Sequence, residues 1–234
     1  MTTDPKILFI ALFGGIVPAL FWLWFWLKEN KEKPEPKGLL TICFIIGMLS
    51  VIFVLPIQKF IQSNISSHQL QIISWASVEE IIKYLAAMLI LYRTAHIKEP
   101  IDWPILLITV ALGFAALENS LFLIKPLTLN QATVGLLTGQ LRFLGSTLLH
   151  AVSSGIIGIA LGLSFNMEPI KKKWYFFIGL ILAISLHSVF NFFIMENNGS
   201  NFLRVFAFLW VVTIIIMLLF EKIRRMSKKV NIVY

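Results

Sequence analysis

The sequence has few charged residues and only one cysteine, and both absences limit what the protein can be. Only 14% of its 234 residues are Asp, Glu, Lys or Arg, whereas soluble domains contain about 25%. Hydrophobic residues make up 58%, and the mean hydropathy is +0.83. The single cysteine, Cys43, excludes an intrachain disulfide and a cysteine metal cluster within one chain. The composition therefore excludes a soluble globular domain.

The net charge of +8 does not indicate a nucleic-acid partner. The basic residues lie in short loops between apolar runs and after the last run. The positive-inside bias of membrane proteins produces this distribution. We therefore expect the lipid bilayer, and no nucleic acid, as the surroundings of the chain.

The apolar runs predict an all-α, polytopic membrane helix bundle with about seven transmembrane helices, since a span needs roughly 20 apolar residues. The predicted spans are Lys6–Leu27, Gly38–Ile57, Gln71–Tyr92, Ile101–Ile124, Gly139–Phe165, Trp174–Met195 and Asn201–Phe220. Residues 1–234 then form a single integral-membrane domain. The first run exceeds the roughly 7–15 residues of a signal-peptide core and no small-residue cleavage site follows it, so we interpret it as a span.

Proline positions predict the loops, and the distribution of basic residues predicts the orientation in the membrane. Pro126 and Pro169 are expected in loops, and residues 127–138 fit an outer loop, a half-helix or the start of a long fifth helix. Basic residues are concentrated in alternate loops and in the C-terminal tail, with only Lys6, Lys59, Lys125 and Arg204 on the opposite side. This asymmetry predicts an outside N-terminus and a cytoplasmic C-terminus, in a multi-pass protein of the plasma (inner) membrane.

Ionisable residues inside spans are costly and mark function by default. The polar residues of this kind, with the amides beside them, are Glu79, Glu80, Lys83, Glu118, Asn119, Arg142, His150, His187 and Asn191. At 1.5 Å per residue, the glutamates and histidines lie about 9–16 Å below the outer ends of four antiparallel spans, and Asn191 about 6 Å. The spacing thus predicts one polar layer in the outer half of the bilayer.

Each pair also has a purely structural interpretation. Glu79 or Glu80 with Lys83 fits a buried ion pair. His150 with Ser153 and Ser154 fits an interhelical hydrogen-bond node, and His187 with Asn191 fits a second contact between helices. Adjacent Glu79 and Glu80 point about 100° apart, so we expect them to have different roles. The shared depth favours one functional site over separate pairs that only stabilise the helix bundle.

The motifs on these spans resemble the PrsW family of intramembrane proteases, within the wider group of CAAX-processing and bacteriocin-processing membrane proteases. Glu79-Glu80-Ile81-Ile82-Lys83 resembles the family's E-E-x-x-K. Gly113-Phe114-Ala115-Ala116-Leu117-Glu118-Asn119 resembles G-F-x-x-x-E-N, Arg142 with His150 resembles R…H, and His187-Ser188-Val189-Phe190-Asn191 resembles H-x-x-x-N. The motif-bearing core covers about residues 71–195.

The resemblance implies an intramembrane endopeptidase that hydrolyses a peptide bond in or near a transmembrane segment of a membrane protein, an anti-sigma factor being one candidate, on the extracytoplasmic side. The expected catalytic residues are Glu79, Glu80, Glu118, His150, His187 and Asn191, supported by Lys83, Asn119 and Arg142.

Two mechanisms remain open from the residues. In one, Glu118, His150 and His187 bind Zn²⁺, and Glu79 or Glu80 is the general base. In the other, a glutamate and a histidine activate water without a metal, while His187 and Asn191 stabilise the oxyanion. The alternative function is a proton- or cation-coupled transporter with a Glu/His relay, which predicts polar residues through the full membrane depth.

Overall fold

The computed structural model describes residues 4–28, 35–94, 97–129, 131–195 and 202–230, and in these ranges the chain forms helices and no strand. The helices are α1 (Pro5–Lys28), α2 (Lys37–Asn64), α3 (His68–Thr94), α4 (Asp102–Thr128), α5 (Ala132–Leu141), α6 (Thr147–Leu163), α7 (Pro169–Met195) and α8 (Phe202–Val230). A π-helical turn, Arg142–Ser146, joins α5 to α6 without interruption. The described chain therefore has seven long helices, which confirms the predicted all-α bundle.

Six helical segments in the described ranges are long and apolar enough to cross a membrane. They are Pro5–Lys28, Lys37–Asn64, Asp102–Thr128, Arg142–Leu163, Pro169–Met195 and Leu203–Ser227. The remaining long helix, α3, has 27 residues but carries Glu79, Glu80 and Lys83 in its centre. These three side chains are buried against the neighbouring helices, so the protein itself shields them from lipid.

The two prolines expected in loops lie in helices instead. Pro126 lies inside α4, which runs on to Thr128, and Pro169 is the first residue of α7. Proline is favoured at a first helical position because the missing N–H would have no intrahelical partner there. Of the three interpretations of residues 127–138, the long fifth helix is confirmed from Ala132 onward, since α5, the π turn and α6 are continuous, whereas Leu127 and Thr128 end α4.

α4 is the central helix of the bundle. Every residue from Pro104 to Ala116 is buried, as expected for a helix that is hydrophobic on all sides. Glycines bring α2 very close to α4: a methyl group on Gly47 would overlap the Val110 carbonyl oxygen, and one on Gly113 would overlap that of Phe44. Small residues allow such close approach of helices in membranes. The α2–α4 interface therefore fixes both helices relative to each other.

Two of the cavities between the helices have similar volumes. Helices α2, α3, α7, α6 and α4 contact one another in this order and close into a ring around the first cavity, which measures about 530 Å³. The second cavity, of about 540 Å³, lies between α6, α7 and α8 and is lined almost entirely by apolar side chains. We call them the ring cavity and the apolar groove.

Candidate active site

The ring cavity lies towards the end of the bundle where α2 ends and α3 begins. Its charged and polar lining residues are Gln58, Lys59, Gln62, Glu79, Glu118, Arg142, Ser146, His150, His187 and Asn191. Each of the five helices of the ring contributes at least one of them. The predicted polar layer is therefore a real cluster with a cavity next to it.

Glu80 is the most completely satisfied carboxylate of the cluster. It is fully buried, and Lys83 Nζ donates to its Oε1 at 2.6 Å. Ser154 Oγ donates to Oε2 at 2.8 Å, and His187 Nδ1 lies 2.8 Å from Oε1. A carboxylate with these partners is well placed to orient a histidine, and both of its oxygens are already occupied.

The partners of the two buried imidazoles fix their tautomers. Lys83 Nζ lies 2.9 Å from His150 Nδ1, and because an ammonium group can only donate, Nδ1 accepts. His150 Nε2 then carries the proton and donates to Glu118 Oε2, 3.1 Å away. His187 donates through Nδ1 to Glu80, which leaves its Nε2 with a free lone pair. The lone pair of His187 Nε2 is therefore open to a ligand or substrate, whereas that of His150 Nδ1 accepts from Lys83 and opens only when Lys83 donates to Glu80 alone.

Glu79 faces both of these nitrogens. Gln58 Nε2 donates to Glu79 Oε1 at 2.7 Å. Glu79 Oε2 lies 3.6 Å from His187 Nε2 and 3.9 Å from His150 Nδ1. Among the described residues this buried oxygen has no hydrogen-bond partner. A buried carboxylate oxygen without a partner is costly, so a group that the chain does not itself supply is expected there.

Glu118 occupies a different position, behind His150. It pairs with Arg142, and Arg142 also donates through Nε to Asn119 Oδ1 at 2.5 Å. Asn119 Nδ2 in turn donates to Thr147 Oγ1 at 2.8 Å. The π turn begins at Arg142, and π turns occur frequently at functional sites. Glu118 keeps 17% side-chain exposure and lines the cavity, whereas Glu80 does not.

Comparisons with known proteins identify the family. The sequence profile described as "PrsW family intramembrane metalloprotease" matches residues 35–220. The chain belongs to this family. It is 28% identical to Protease PrsW of Bacillus subtilis (strain 168) over 87% of this chain and 92% of that protein.

Two further relatives cover the chain to a similar extent. It is 30% identical to Protease PrsW of Oceanobacillus iheyensis over 87% of this chain and 92% of the relative. The identity to Protease PrsW of Clostridioides difficile (strain 630) is 26%, over 92% of both. No solved structure matches significantly. The predicted membrane-embedded peptidase is thus confirmed, and the transporter alternative is not supported.

The residues that resembled PrsW motifs come together from four helices, but in a different grouping from the one predicted for a metal. The structure places Glu79, His150 and His187 with one ligand atom each within 4.8 Å of one another. Glu118, which the sequence grouped with the two histidines, instead pairs with Arg142 and holds the far nitrogen of His150. Asn191 lines the cavity one helical turn beyond His187.

This grouping fits the metal that the PrsW family description implies. Two imidazoles and a carboxylate are the ligands of catalytic zinc sites. The non-ligand nitrogen of each imidazole contacts a carboxylate, Glu118 for His150 and Glu80 for His187, as is usual around bound metals. Among the described residues, Lys83 and Arg142 balance Glu80 and Glu118, while Glu79 has no cationic side chain of its own. A bound cation would supply the missing charge.

The sequence did not indicate two polar contacts of this PrsW-family site. Gln58 was missed because the predicted second span stopped at Ile57, whereas α2 continues through Pro56 to Asn64. Ser154 was predicted only as part of a hydrogen-bond node with His150. Its hydroxyl donates to Glu80. A polar residue one position beyond a predicted span end was the available signal for Gln58.

Proposed function

We propose that the ring cavity hydrolyses a peptide bond in or near a transmembrane segment of a membrane protein, on the extracytoplasmic side. The observation that carries the proposal is Glu79 Oε2, which is buried, has no hydrogen-bond partner among the described residues and lies 3.6 Å from His187 Nε2 and 3.9 Å from His150 Nδ1. A membrane-anchored anti-sigma factor is the candidate substrate, in keeping with the family resemblance.

Glu79, His150 and His187 are the proposed ligands of Zn²⁺, and His150 Nδ1 would bind it in place of its hydrogen bond from Lys83. When bound, zinc would polarise the scissile carbonyl and make water a better nucleophile at neutral pH. Glu80 and Glu118 orient the two imidazoles through the opposite ring nitrogens. Lys83 holds Glu80 in place and Arg142 holds Glu118.

Proton transfer is assigned to Oε1 of Glu118, the other glutamate that lines the cavity, because Arg142 and His150 both contact its Oε2. Its carboxylate accepts a proton from the attacking water as the C–O bond forms, and returns a proton to the leaving nitrogen as the C–N bond breaks. The Asn191 amide, on the cavity wall, donates to the carbonyl oxygen as negative charge develops.

The test is cleavage of a fluorogenic peptide, containing one transmembrane segment and its flanks, by the purified protein. Glu79→Gln keeps the shape of the side chain and is expected to lower kcat/KM by about 10²–10⁴-fold. The control is Ser153→Ala, which removes a buried hydroxyl without a partner among the described residues and should leave cleavage unchanged. Full activity of Glu79→Gln would end the proposal.

A metal chelator separates the two mechanisms. Loss of cleavage on chelation and recovery on addition of Zn²⁺ supports zinc. Cleavage that survives removal of all bound metal would instead assign water activation to Glu79 and a histidine alone.

The orientation has its own test, because the buried Cys43 is the only cysteine of the sequence. Gln62→Cys places a thiol on the exposed end of α2 beside the cavity. Lys222→Cys places one near the C-terminal end of α8, which we expect on the other side of the membrane. A membrane-impermeant maleimide added to intact cells should label the first variant and not the second. The reverse pattern would place the site on the cytoplasmic side.

A further inference from the structure

Gln58 makes the only hydrogen bond that Glu79 receives within the described part of the chain. Its Nε2 donates to Glu79 Oε1 at 2.7 Å. The two oxygens of Glu79 are therefore unequal: one is held by an amide, and the other is left facing His150 and His187. An amide donor that occupies one oxygen selects a single carboxylate orientation.

The backbone at Gln58 is itself held against α3. Trp75 Nε1 donates to the Gln58 carbonyl oxygen at 3.1 Å. Trp75 lies four residues before Glu79, so both side chains are on the same face of α3. Both also line the ring cavity. The end of α2 is thus fastened to α3 one turn away from the carboxylate that Gln58 contacts.

Charge gives Gln58 a role that other side chains would not fill. Lys83 forms a salt bridge with Glu80, and Arg142 forms one with Glu118. A third cation on Glu79 would neutralise the carboxylate and compete with a metal for it. The neutral amide orients Glu79 and leaves its negative charge intact.

We propose that Gln58 is a positioning residue of the peptidase site, which holds Glu79 Oε1 so that Oε2 faces the imidazoles of His150 and His187. The inference rests on the proposed function of Glu79. It extends the site to α2, a helix that none of the recognised motifs covers.

The first variant is Gln58→Met, which keeps the length of the side chain and removes the donor. Substitutions of such outer-sphere partners typically cost about 10–100-fold in activity or metal affinity. We expect a loss of this size in kcat with KM changed less, because the peptide still binds. Zn²⁺ affinity, measured by competition with a chelating dye, should fall over the same range.

The second variant is Gln58→Glu, which resembles glutamine in shape but places a carboxylate next to Glu79. If Gln58 only filled space, the glutamate variant would be more active than the methionine variant. A positioning role predicts the opposite order at neutral pH, glutamine above methionine above glutamate, because two adjacent carboxylates repel each other.

The matched control is Gln62→Met. Gln62 lies one turn further along α2 and lines the same cavity, and it should tolerate the change in kcat and in Zn²⁺ affinity. Elution as a single species and an unchanged Tm establish that each variant is folded. Wild-type kcat and Zn²⁺ affinity in folded Gln58→Met, or a glutamate variant more active than the methionine variant, would overturn the inference. Either result would leave the proposed function intact, because Glu79→Gln tests that function separately.

Discussion

The ring cavity and the apolar groove have nearly the same volume, about 530 and 540 Å³, but opposite linings. Glu79, Glu118, Arg142, His150 and His187 face the ring cavity. The groove is bordered by aliphatic and aromatic side chains of α6, α7 and α8, with hydroxyls only at Tyr175 and Ser185.

The difference teaches that cavity size does not identify a site in a membrane protein. An apolar groove between helices can be filled by lipid chains at little cost. A buried cluster of charges costs several kcal/mol unless it is paired or hydrated. A buried cluster of charges therefore indicates a functional site, whereas an apolar groove of the same volume does not.

The largest expected effect is that of His187→Ala. The variant removes a proposed ligand atom and the partner of Glu80, so kcat/KM should fall by about 10²–10⁴-fold in the peptide-cleavage assay. The neighbouring Ser188→Ala is the control, since the Ser188 hydroxyl is buried without a hydrogen-bond partner among the described residues. Equal activity of the two variants would show that the ring cavity is not the active site.

Lys83→Met should give the largest loss of stability. It leaves Glu80 fully buried without its cation, and breaking a buried pair typically costs about 3–5 kcal/mol. Lys171→Met breaks an exposed pair with Glu168, of 3.7 Å, and should cost about 0–1 kcal/mol. Unfolding in mixed micelles with increasing denaturant measures both. Similar losses would show that the cluster is not shielded from water.

Glu118→Gln should have an intermediate effect on catalysis. It keeps a polar group near His150 but weakens the pairing with Arg142 and removes the proposed proton acceptor. We expect kcat to fall at least about 10–100-fold, with KM less affected. A change confined to KM would assign Glu118 to peptide binding instead.

The smallest effect is expected in the apolar groove. Ser185→Leu replaces an exposed polar side chain of its lining by an apolar one, so cleavage should be unchanged and stability altered by no more than about 0.5 kcal/mol. Cleavage rates and Tm are measured on the same preparation. A ten-fold loss of cleavage would show that the groove belongs to the substrate path.

The helices and the convergence of the polar residues could be predicted from the sequence. Apolar runs of sufficient length form helices in a bilayer because every backbone polar group must be paired there. Glu79, Glu118, His150 and His187 lie at similar calculated depths, and the structure brings them together. Because an ionisable residue is costly to bury in a membrane span, its presence there indicates the position of a functional site.

The assignment of partners could not be predicted in the same way. Glu79 and Glu80 are adjacent, and the rotation of α3 decides which of them faces the imidazoles. This rotation depends on packing against α2, α4 and α7. The position of Glu118 depends on Arg142, whose direction follows from a π turn without a recognisable sequence pattern. Gln58 was missed because the apolar run of the second span ended at Ile57, one residue before it.

The π turn makes the number of residues in this helix matter as much as their identity. Deleting the exposed Leu144 would leave enough residues for an uninterrupted α-helix, and the loss would hardly affect helix propensity. It would nevertheless turn the preceding half by about 100° relative to His150 and draw it about 1.5 Å closer. Arg142 would then point away from Glu118. The helix would thus be shorter and more regular, but the contact between Arg142 and Glu118 would be lost.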